Sequence, residues 1–482
     1  MSLAGPAPIS FNPVRRLAGD LLAERRAKTP FPPGDTRFSI RRTRGFALNP
    51  LALLLDAYSR FGPVFTMRVF HGNTIFMIGP EANHYMTVSH ASNFRWREGH
   101  MGDLTALLGD GLLTIDGEFH RRSRRIMLPA FHHEVIAAAL QTMNAEIDRA
   151  LDRWNDGARI DLYRSTRRLA LRIALRALFG LDPDAAGART DMARNFEQGL
   201  GFWARDYWLQ VLRGPGTPFA RMQAARRALD GVIFDEIARR RRTGERGPDV
   251  LSLLIDATDD EGEGLDDRQI RDEVMTLLFA GHDTTTSTIG FMFYELGRHP
   301  EIAAALRDEQ ERVLGGERPD AETLMSGRLE LLEMVQDETL RMYPPAWIGA
   351  RRSVESFEFA GHTVPGRAYV NYSSWVSHHL PHVFPEPEEF QPERFTPEAK
   401  AALPKGAYVP FGGGSRICIG MRFGQLEVKA IASALLGRFD FELEPGYELR
   451  IRQAPTIGPK HGVPLIVHRR GRAPSRAVPV AA

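Results

Sequence analysis

Cysteine is almost missing from this chain: Cys418 is the only one in 482 residues. One thiol cannot make an intramolecular disulfide, nor a multi-cysteine zinc or iron–sulfur site. Three uses remain for it, as a core thiol, a nucleophile or a single metal ligand. A long apolar run is missing too. The best candidate, residues 46–58, is broken by Asn49, Pro50 and Asp56, and spanning a bilayer takes ~20 apolar residues. The N-terminus has no secretory pattern, because Pro6, Pro8 and Pro13 interrupt its first apolar stretch. Charge of either sign is not in excess: the net charge of +2 argues against bulk nucleic-acid binding. A cytoplasmic protein without a transmembrane anchor is expected.

The surroundings of that cysteine are specific. The stretch Phe411-Gly412-Gly413-Gly414-Ser415-Arg416-Ile417-Cys418-Ile419-Gly420 places three glycines before the sulfur and one after it. An amphipathic helical segment over about 421–436 follows directly. Backbone N–H groups and a helix N-terminus favour negative charge, hence thiolate. Thiolate is the form that binds soft metals and haem iron. Position alone still leaves ligand, nucleophile and core residue open.

Residues 1–45 are rich in proline and arginine and read as an arm over the surface. Strands are predicted over 63–70 and 73–78, with a return to helix from 81. In the basic stretch 117–125, His120 and Arg124 are four apart and share one helix face. That face is either solvated or a clamp for two carboxylates. Residues 135–242 read mostly as helix. The aromatic, turn-rich segment 202–219 interrupts them and either lines an apolar entrance or joins the core. The run Arg239-Arg240-Arg241-Arg242 reads as a solvated helix end.

A long helix is predicted over 266–296. Its middle, Ala280-Gly281-His282-Asp283-Thr284-Thr285-Thr286-Ser287-Thr288, carries glycine and hydroxyls that weaken helices. Phe279, Ile289, Phe291 and Phe293 still mark it as buried. A weak spot in a buried helix points to a functional distortion, and Ala280 and Gly281 leave room for a flat ligand. A second helix, over 329–342, stops at Pro344-Pro345 and carries Glu338 and Arg341 three apart. As a bare pair these contribute ~0.2–0.5 kcal/mol. Residues 357–365 and 368–372 alternate like a hairpin. The stretch 380–410 is proline-rich and aperiodic, so specific contacts are needed to pin it. Residues past 467 read as a disordered basic tail. Length suggests two or three domains, but no repeat or linker divides the chain.

Four signals now stand in order: Ala280-Gly281-His282-Asp283-Thr284-Thr285, Glu338-Thr339-Leu340-Arg341, Phe390-Gln391-Pro392-Glu393-Arg394-Phe395, and Phe411 to Gly420. Together they resemble the cytochrome P450 family of haem-thiolate monooxygenases, over roughly residues 61–467. The cysteine pattern is very specific, the Glu-x-x-Arg pair alone weak. The resemblance implies a mostly α fold with a small β part. It implies a single catalytic domain over 46–467, between an arm at 1–45 and the tail at 468–482. Haem b then sits between the long helix and the Cys418 loop. Cys418 is implied as the iron ligand, with Phe411 packed near the sulfur and the glycines, Gly420 included, giving the backbone close approach to the porphyrin. Glu338, Arg341 and Arg394 are implied as a buried brace. His120, Arg124, Arg416 and one of Arg351 or Arg352 resemble the family's propionate donors. Arg351 is preferred from its distance to the strand at 357–359, and His120 stands where the family often has Trp. Ala280 lies beside the haem. Thr284 is implied as the distal hydroxyl and Asp283 as the feeder of protons.

The same resemblance implies O2 and a lipophilic substrate of the fatty-acid, terpenoid or steroid class. Substrate contacts are expected from the loop 97–113, from 202–219, from Trp347 and Ile348, and from Thr456 and Ile457. Nothing in the chain resembles a flavin or iron–sulfur domain, so a ferredoxin or flavodoxin with an NAD(P)H reductase is expected to bring electrons. Arg416, Arg422, Lys405 and Lys429 are candidates for its docking face. A monomer is expected. The competing readings are a peroxide-using or isomerase-type haem-thiolate enzyme and a non-catalytic haem sensor or binder.

Overall fold

The secondary structure follows the sequence pattern closely where contacts are local. In a computed structural model of the protein, residues 6, 9 and 12–471 are described, apart from 27–28, 70–71, 185–190, 204, 206, 260–261 and 455. The predicted tail from 472 onward lies outside the described residues.

The long helix runs Asp267–Arg298. Asp266 and Gln269 close its first turn with a reciprocal capping box, and His299-Pro300 ends it. It is buried on nearly every side, as an apolar helix at the centre of a large fold must be. Phe291 and Phe293 are almost fully buried, each contributing about 1.5–3 kcal/mol of transfer free energy. The predicted distortion is not there: helix is continuous through Ala280–Thr288. The hydroxyls of Thr284, Thr286 and Thr288 donate to the carbonyls of Ala280, His282 and Thr284 at 2.6, 2.7 and 3.0 Å. This back-bonding satisfies those three hydroxyls inside the helix. A Cβ at Gly281 would meet nothing within 4 Å, so open space lies beside that residue.

Helices Gly117–Met127, Glu330–Met342 and Met421–Arg438 occupy the predicted stretches. The last two pack against the long helix and against each other. The main apolar core draws on residues from Leu54 to Val467.

The principal sheet has six strands in the order Gly34–Asp35, Val64–Val69, Gly72–Met77, Tyr369–Tyr372, Gly349–Ser353, Phe94–Arg95. The predicted pair is antiparallel, with Val64 opposite Met77 and Val69 opposite Gly72. One sequence expectation is corrected here. The hairpin closes within Phe357–Phe359 and His362–Val364. Tyr369–Tyr372 instead enters the main sheet, parallel to residues 74–77 and antiparallel to residues 349–352. Alternation marks a strand but cannot name its partner.

The N-terminal arm contains helix Pro13–Arg26, the two-residue strand Gly34–Asp35 and helix Ile40–Leu48. Glu24 ties it to Arg68 and Asp20 takes the Tyr369 hydroxyl at 3.0 Å. The last strand, Pro464–Arg469, takes in the first two residues of the predicted tail and pairs with Phe439–Leu443. The arginine run is also corrected. Arg240 is buried and holds Glu236 at 2.6 Å and Asp249 at 2.7 Å.

Candidate functional site: a cavity facing Cys418

A cavity of about 950 Å³ separates the long helix from the Cys418 loop, at the upper end of the ~300–1,000 Å³ typical of ligand sites. The sequence places Cys418 three residues before helix Met421–Arg438. Its amide donates to Phe411 O at 3.0 Å, closing the loop. The glycines earn their place by protein contacts. A Cβ at Gly414, whose φ is +59°, would lie 2.2 Å from Thr87 O, and one at Gly413 would lie 2.7 Å from Thr87 Oγ1. Cys418 is exposed and lines the cavity. The protein around it desolvates the thiol and pushes its pKa up, while the Gly420 N–H and Arg124 pull it back.

His120, Arg124, Arg351 and Arg416 share the wall of this cavity with Phe411, Gly420, Ala280 and Thr284. Arg416 donates to Leu112 O, Ile115 O and Asp116 Oδ1 at 3.3, 2.6 and 2.7 Å. Arg351 stacks on Trp96 at 3.5 Å. Arg352, next to it on the strand, points to the opposite side, toward Asp20 and Tyr369. The side chain of Arg124 has no hydrogen-bond or ion-pair partner among the described residues. Burial is the main cause that pushes Arg416 down to about 10; Asp116 opposes this, and Arg351 and Arg124 add to it. His120 is held near 3, first by burial and then by Arg416 and Arg124, so it is neutral. Three arginines thus crowd one rim that holds a single acid, Asp116, among the described partners. Such a rim suits an anion with two carboxylates, and an open sulfur opposite open space at Gly281 suits a flat group. The residues fit a haem.

The comparisons with known proteins agree. The sequence model described as Cytochrome P450 matches residues 44–461. The chain belongs to the cytochrome P450 family. It is 31% identical over 444 residues to the putative cytochrome P450 120 of Synechocystis, covering 91% of this chain and 97% of that one. Cyclooctatin synthase of Streptomyces melanosporofaciens is 36% identical over 365 residues, 74% of this chain and 79% of that one. Among solved structures, the retinoic acid-bound cyanobacterial CYP120A1 superposes with a TM-score of 0.81 at 30% identity, covering 92% of this chain and all of that one. The family is one of haem-iron monooxygenases, acting on a substrate with O2. No described helix is long and apolar enough to cross a membrane.

In this P450, Glu338 and Arg341 make a fully buried bidentate pair at 2.7 and 2.9 Å. Arg341 also donates to His378 O and Glu389 O. Arg394 approaches Glu338 at 3.5 Å, and the Gln391 amide donates to the same carboxylate at 2.9 Å. Burial pushes the Glu338 carboxyl up, and Arg341, Gln391 and Arg394 oppose it. The proline-rich stretch is pinned by these contacts.

Asp283 is not on the cavity wall. It is a fully buried residue of the long helix. It pairs with Arg167, accepts from the Thr456 hydroxyl, and lies 3.4 Å from Arg452. Burial favours its neutral form, but Arg167 and then Arg452 win, and its pKa falls to about 2. Arg167 in turn holds Glu197 at 2.6 Å. Sequence reasoning missed Arg167 and Arg452, which carry no local motif.

Other expectations divide. Trp347, Ile348 and Thr456 line the cavity, but Ile457 does not: it points into the core, where it is fully buried. Arg97 is not free for substrate, because it holds its own loop through Asp110 at 2.8 Å and Thr114 O at 3.1 Å. Phe202 and Phe219 line the mouth with rings 5.9 Å apart. The side chains of Tyr207 and Trp208 lie outside the described residues. Lys429 leaves the docking face, being buried against Glu333 at 2.6 Å. Arg422 and Lys405 are exposed.

Proposed function

We propose that the cavity holds haem b, with Cys418 as its thiolate ligand, and that this P450 inserts one oxygen atom of O2 into a lipophilic small molecule. The supporting observation is the open sulfur beneath a rim of Arg124, Arg351, Arg416 and neutral His120. When bound, haem supplies O2 activation at an electron-rich thiolate-bound iron. The protein's part is to position and to gate. The Gly420 N–H steadies the sulfur, and the four rim side chains hold the propionates by charge and hydrogen bonds. Arg351, not Arg352, takes this role, since only Arg351 reaches the cavity wall. Gly420 and Ala280 allow close approach. Glu338, Arg341 and Arg394 brace the wall that carries Cys418.

Thr284 Oγ1, which donates to Ala280 O at rest, turns to hold a water or an oxygen atom in the cavity and to pass it a proton. Asp283 feeds that hydroxyl only after its carboxylate leaves Arg167 and Arg452. Trp347, Ile348 and Thr456 contact the substrate. Of the fatty-acid, terpenoid and steroid classes, terpenoids fit best. The relatives named cyclooctatin synthase and pentalenene oxygenase, and the retinoic acid-bound structure, support that class. Electrons come in the cytoplasm from a ferredoxin or flavodoxin with its NAD(P)H reductase, docking beside the Cys418 loop near Arg422 and Lys405.

The reduced, carbon monoxide-bound absorption spectrum tests the haem assignment. A red-shifted Soret band is expected, and Cys418→Ser abolishes it; an unshifted band in the parent protein overturns the thiolate reading. A spin-state shift on titration with isoprenoid ligands, against fatty acids and sterols, tests the substrate class.

A further inference from the structure

One amide in the cavity wall has no partner, and the mechanism does not use it. Asn371 lies on strand Tyr369–Tyr372, opposite Phe76 on one neighbouring strand and Ala350 on the other. It is 4% exposed and lines the cavity. Its Oδ1 is buried without a hydrogen bond, and its Nδ2 donates to nothing among the described residues. Thr74 stands two residues before Phe76 on strand Gly72–Met77, so it shares that face of the sheet. It is 6% exposed and lines the same cavity, and its hydroxyl is also unpaired among the described residues. Apolar groups surround the pair. Phe76 and Ala350 flank Asn371, and the Phe46 ring stands 6.1 Å from that of Phe76 and 6.0 Å from that of Trp347.

The neighbouring polar groups are already engaged. Trp347 Nε1 donates to Gln453 O at 2.9 Å, Gln453 Nε2 to Leu48 O at 3.1 Å, and Ser373 Oγ to Trp347 O at 2.8 Å. The Tyr369 hydroxyl donates to Asp20. Asn371's own strand and the two beside it carry only two charges, Arg351 and Arg352. Arg351 is stacked on Trp96, and Arg352 is turned to Asp20 at 3.7 Å. An amide buried in an apolar wall with nothing to bond is costly, and leucine would fill the same place without that cost. A partner from inside the cavity removes the cost.

We propose that Asn371, with Thr74, anchors an oxygen atom that the substrate already carries, so that this P450 takes a neutral oxygenated terpenoid, an alcohol or a ketone. This rests on the haem-thiolate reading and on the terpenoid class. The amide N–H donates to the substrate oxygen, and the Thr74 hydroxyl donates to a ketone or accepts from an alcohol. A neutral amide and a hydroxyl bring no charge to offset the desolvation of a carboxylate. An oxygen-free skeleton leaves both groups unpaired, and a site built to bond an oxygen discriminates against such an analogue. Holding that oxygen on the sheet also fixes which carbons face the Cys418 side of the cavity, which makes Asn371 a specificity-determining residue. The substrate is then supplied by a reaction that has already placed oxygen on the skeleton.

Calorimetric titration of the holoenzyme with farnesol and geranylgeraniol, each against its parent hydrocarbon and its carboxylic acid, tests the anchor. The alcohols are expected to bind about tenfold tighter than the hydrocarbons, the factor that one net hydrogen bond gives. Asn371→Leu abolishes that preference and leaves the affinity for the hydrocarbons within about twofold, as does the smaller Asn371→Ala. Thr74→Val, which keeps the amide, lowers the preference about threefold. The proposal is overturned if the alcohols bind no tighter than the hydrocarbons, as when Asn371 holds only cavity water. It is overturned equally by a preference for alcohols that survives in both Asn371 variants. Acids that bind tightest of all also overturn it, and assign the polar end of the substrate to Arg213, stacked on Phe219 at the mouth. A missing red-shifted carbon monoxide band overturns the haem-thiolate reading instead, since calorimetry reads affinity without that band.

Discussion

Two buried carboxylates in this P450 each meet two arginines, and they are built differently. Glu338 takes its first arginine from three residues along its own helix, and both side chains are fully buried. The pair is bidentate, and Arg341 spends its remaining donors on two carbonyls. Asp283 takes its arginines from residues 116 and 169 positions away. Those two are partly exposed, at 15% and 24%, and Arg452 reaches only 3.4 Å. Its third partner, Thr456, stands on the cavity wall. The first arrangement is a brace with no free end. The second is a latch whose far ends reach toward solvent and the cavity, and under the proposed function it stands where a proton would pass.

The sharpest way to break this contrast is to cut the brace. Arg341→Met leaves the Glu338 charge buried and poorly paired, which costs about 3–5 kcal/mol. A correspondingly lower denaturation midpoint, with loss of bound haem, is expected; a midpoint within about 1 kcal/mol of the parent would falsify the brace.

Acid separates the two next. His378 belongs to the brace: its carbonyl accepts from Arg341 and its Nε2 accepts the Val409 amide at 3.0 Å. Burial first, then Arg341 and His379, hold it down to about 3, from an ordinary 6.5. The folded state therefore keeps it neutral, and its contribution is present above pH 6.5 and lost as pH falls toward 3. At pH 5 the loss is about 2 kcal/mol. The contribution of Asp283 survives to lower pH, since it is lost only between 3.8 and about 2. Equilibrium unfolding followed from pH 7 to 4 should decline with a slope that His378→Gln reduces.

The smallest effect on stability belongs to the latch. Arg452→Gln removes a long, partly exposed contact and costs about 1 kcal/mol or less. It should nonetheless raise the Asp283 pKa and change the pH dependence of product formed per NAD(P)H. A variant with parent stability and an unmoved pH profile would show that Arg452 is only a surface charge.

The same contrast explains what was legible beforehand. Glu338 and Arg341 are a local motif, so spacing alone placed them on one face. The Cys418 loop, the long helix and the first strand pair were legible for the same reason. The partners of Asp283 were not, because arginine is common in this chain and nothing local distinguishes Arg167 or Arg452. Long-range pairing also hid the place of Tyr369–Tyr372 in the sheet and the burial of Lys429 against Glu333. In both cases the charge or alternation was visible, and its partner lay far along the chain; Arg240 was missed although its acids, Glu236 and Asp249, are close in sequence. The hydroxyl run misled in the opposite sense. It looked like a weak point, yet Thr284, Thr286 and Thr288 are each satisfied one turn back.

The solitary cysteine has a practical consequence. It is exposed and lines the cavity, so under the haem-thiolate proposal the apoprotein should accept one thiol-reactive tag and the haem-loaded protein none. Intact mass after alkylation would then count occupied sites molecule by molecule, with no second thiol to confuse the tally. The residue that marks the active centre thereby serves as its occupancy gauge.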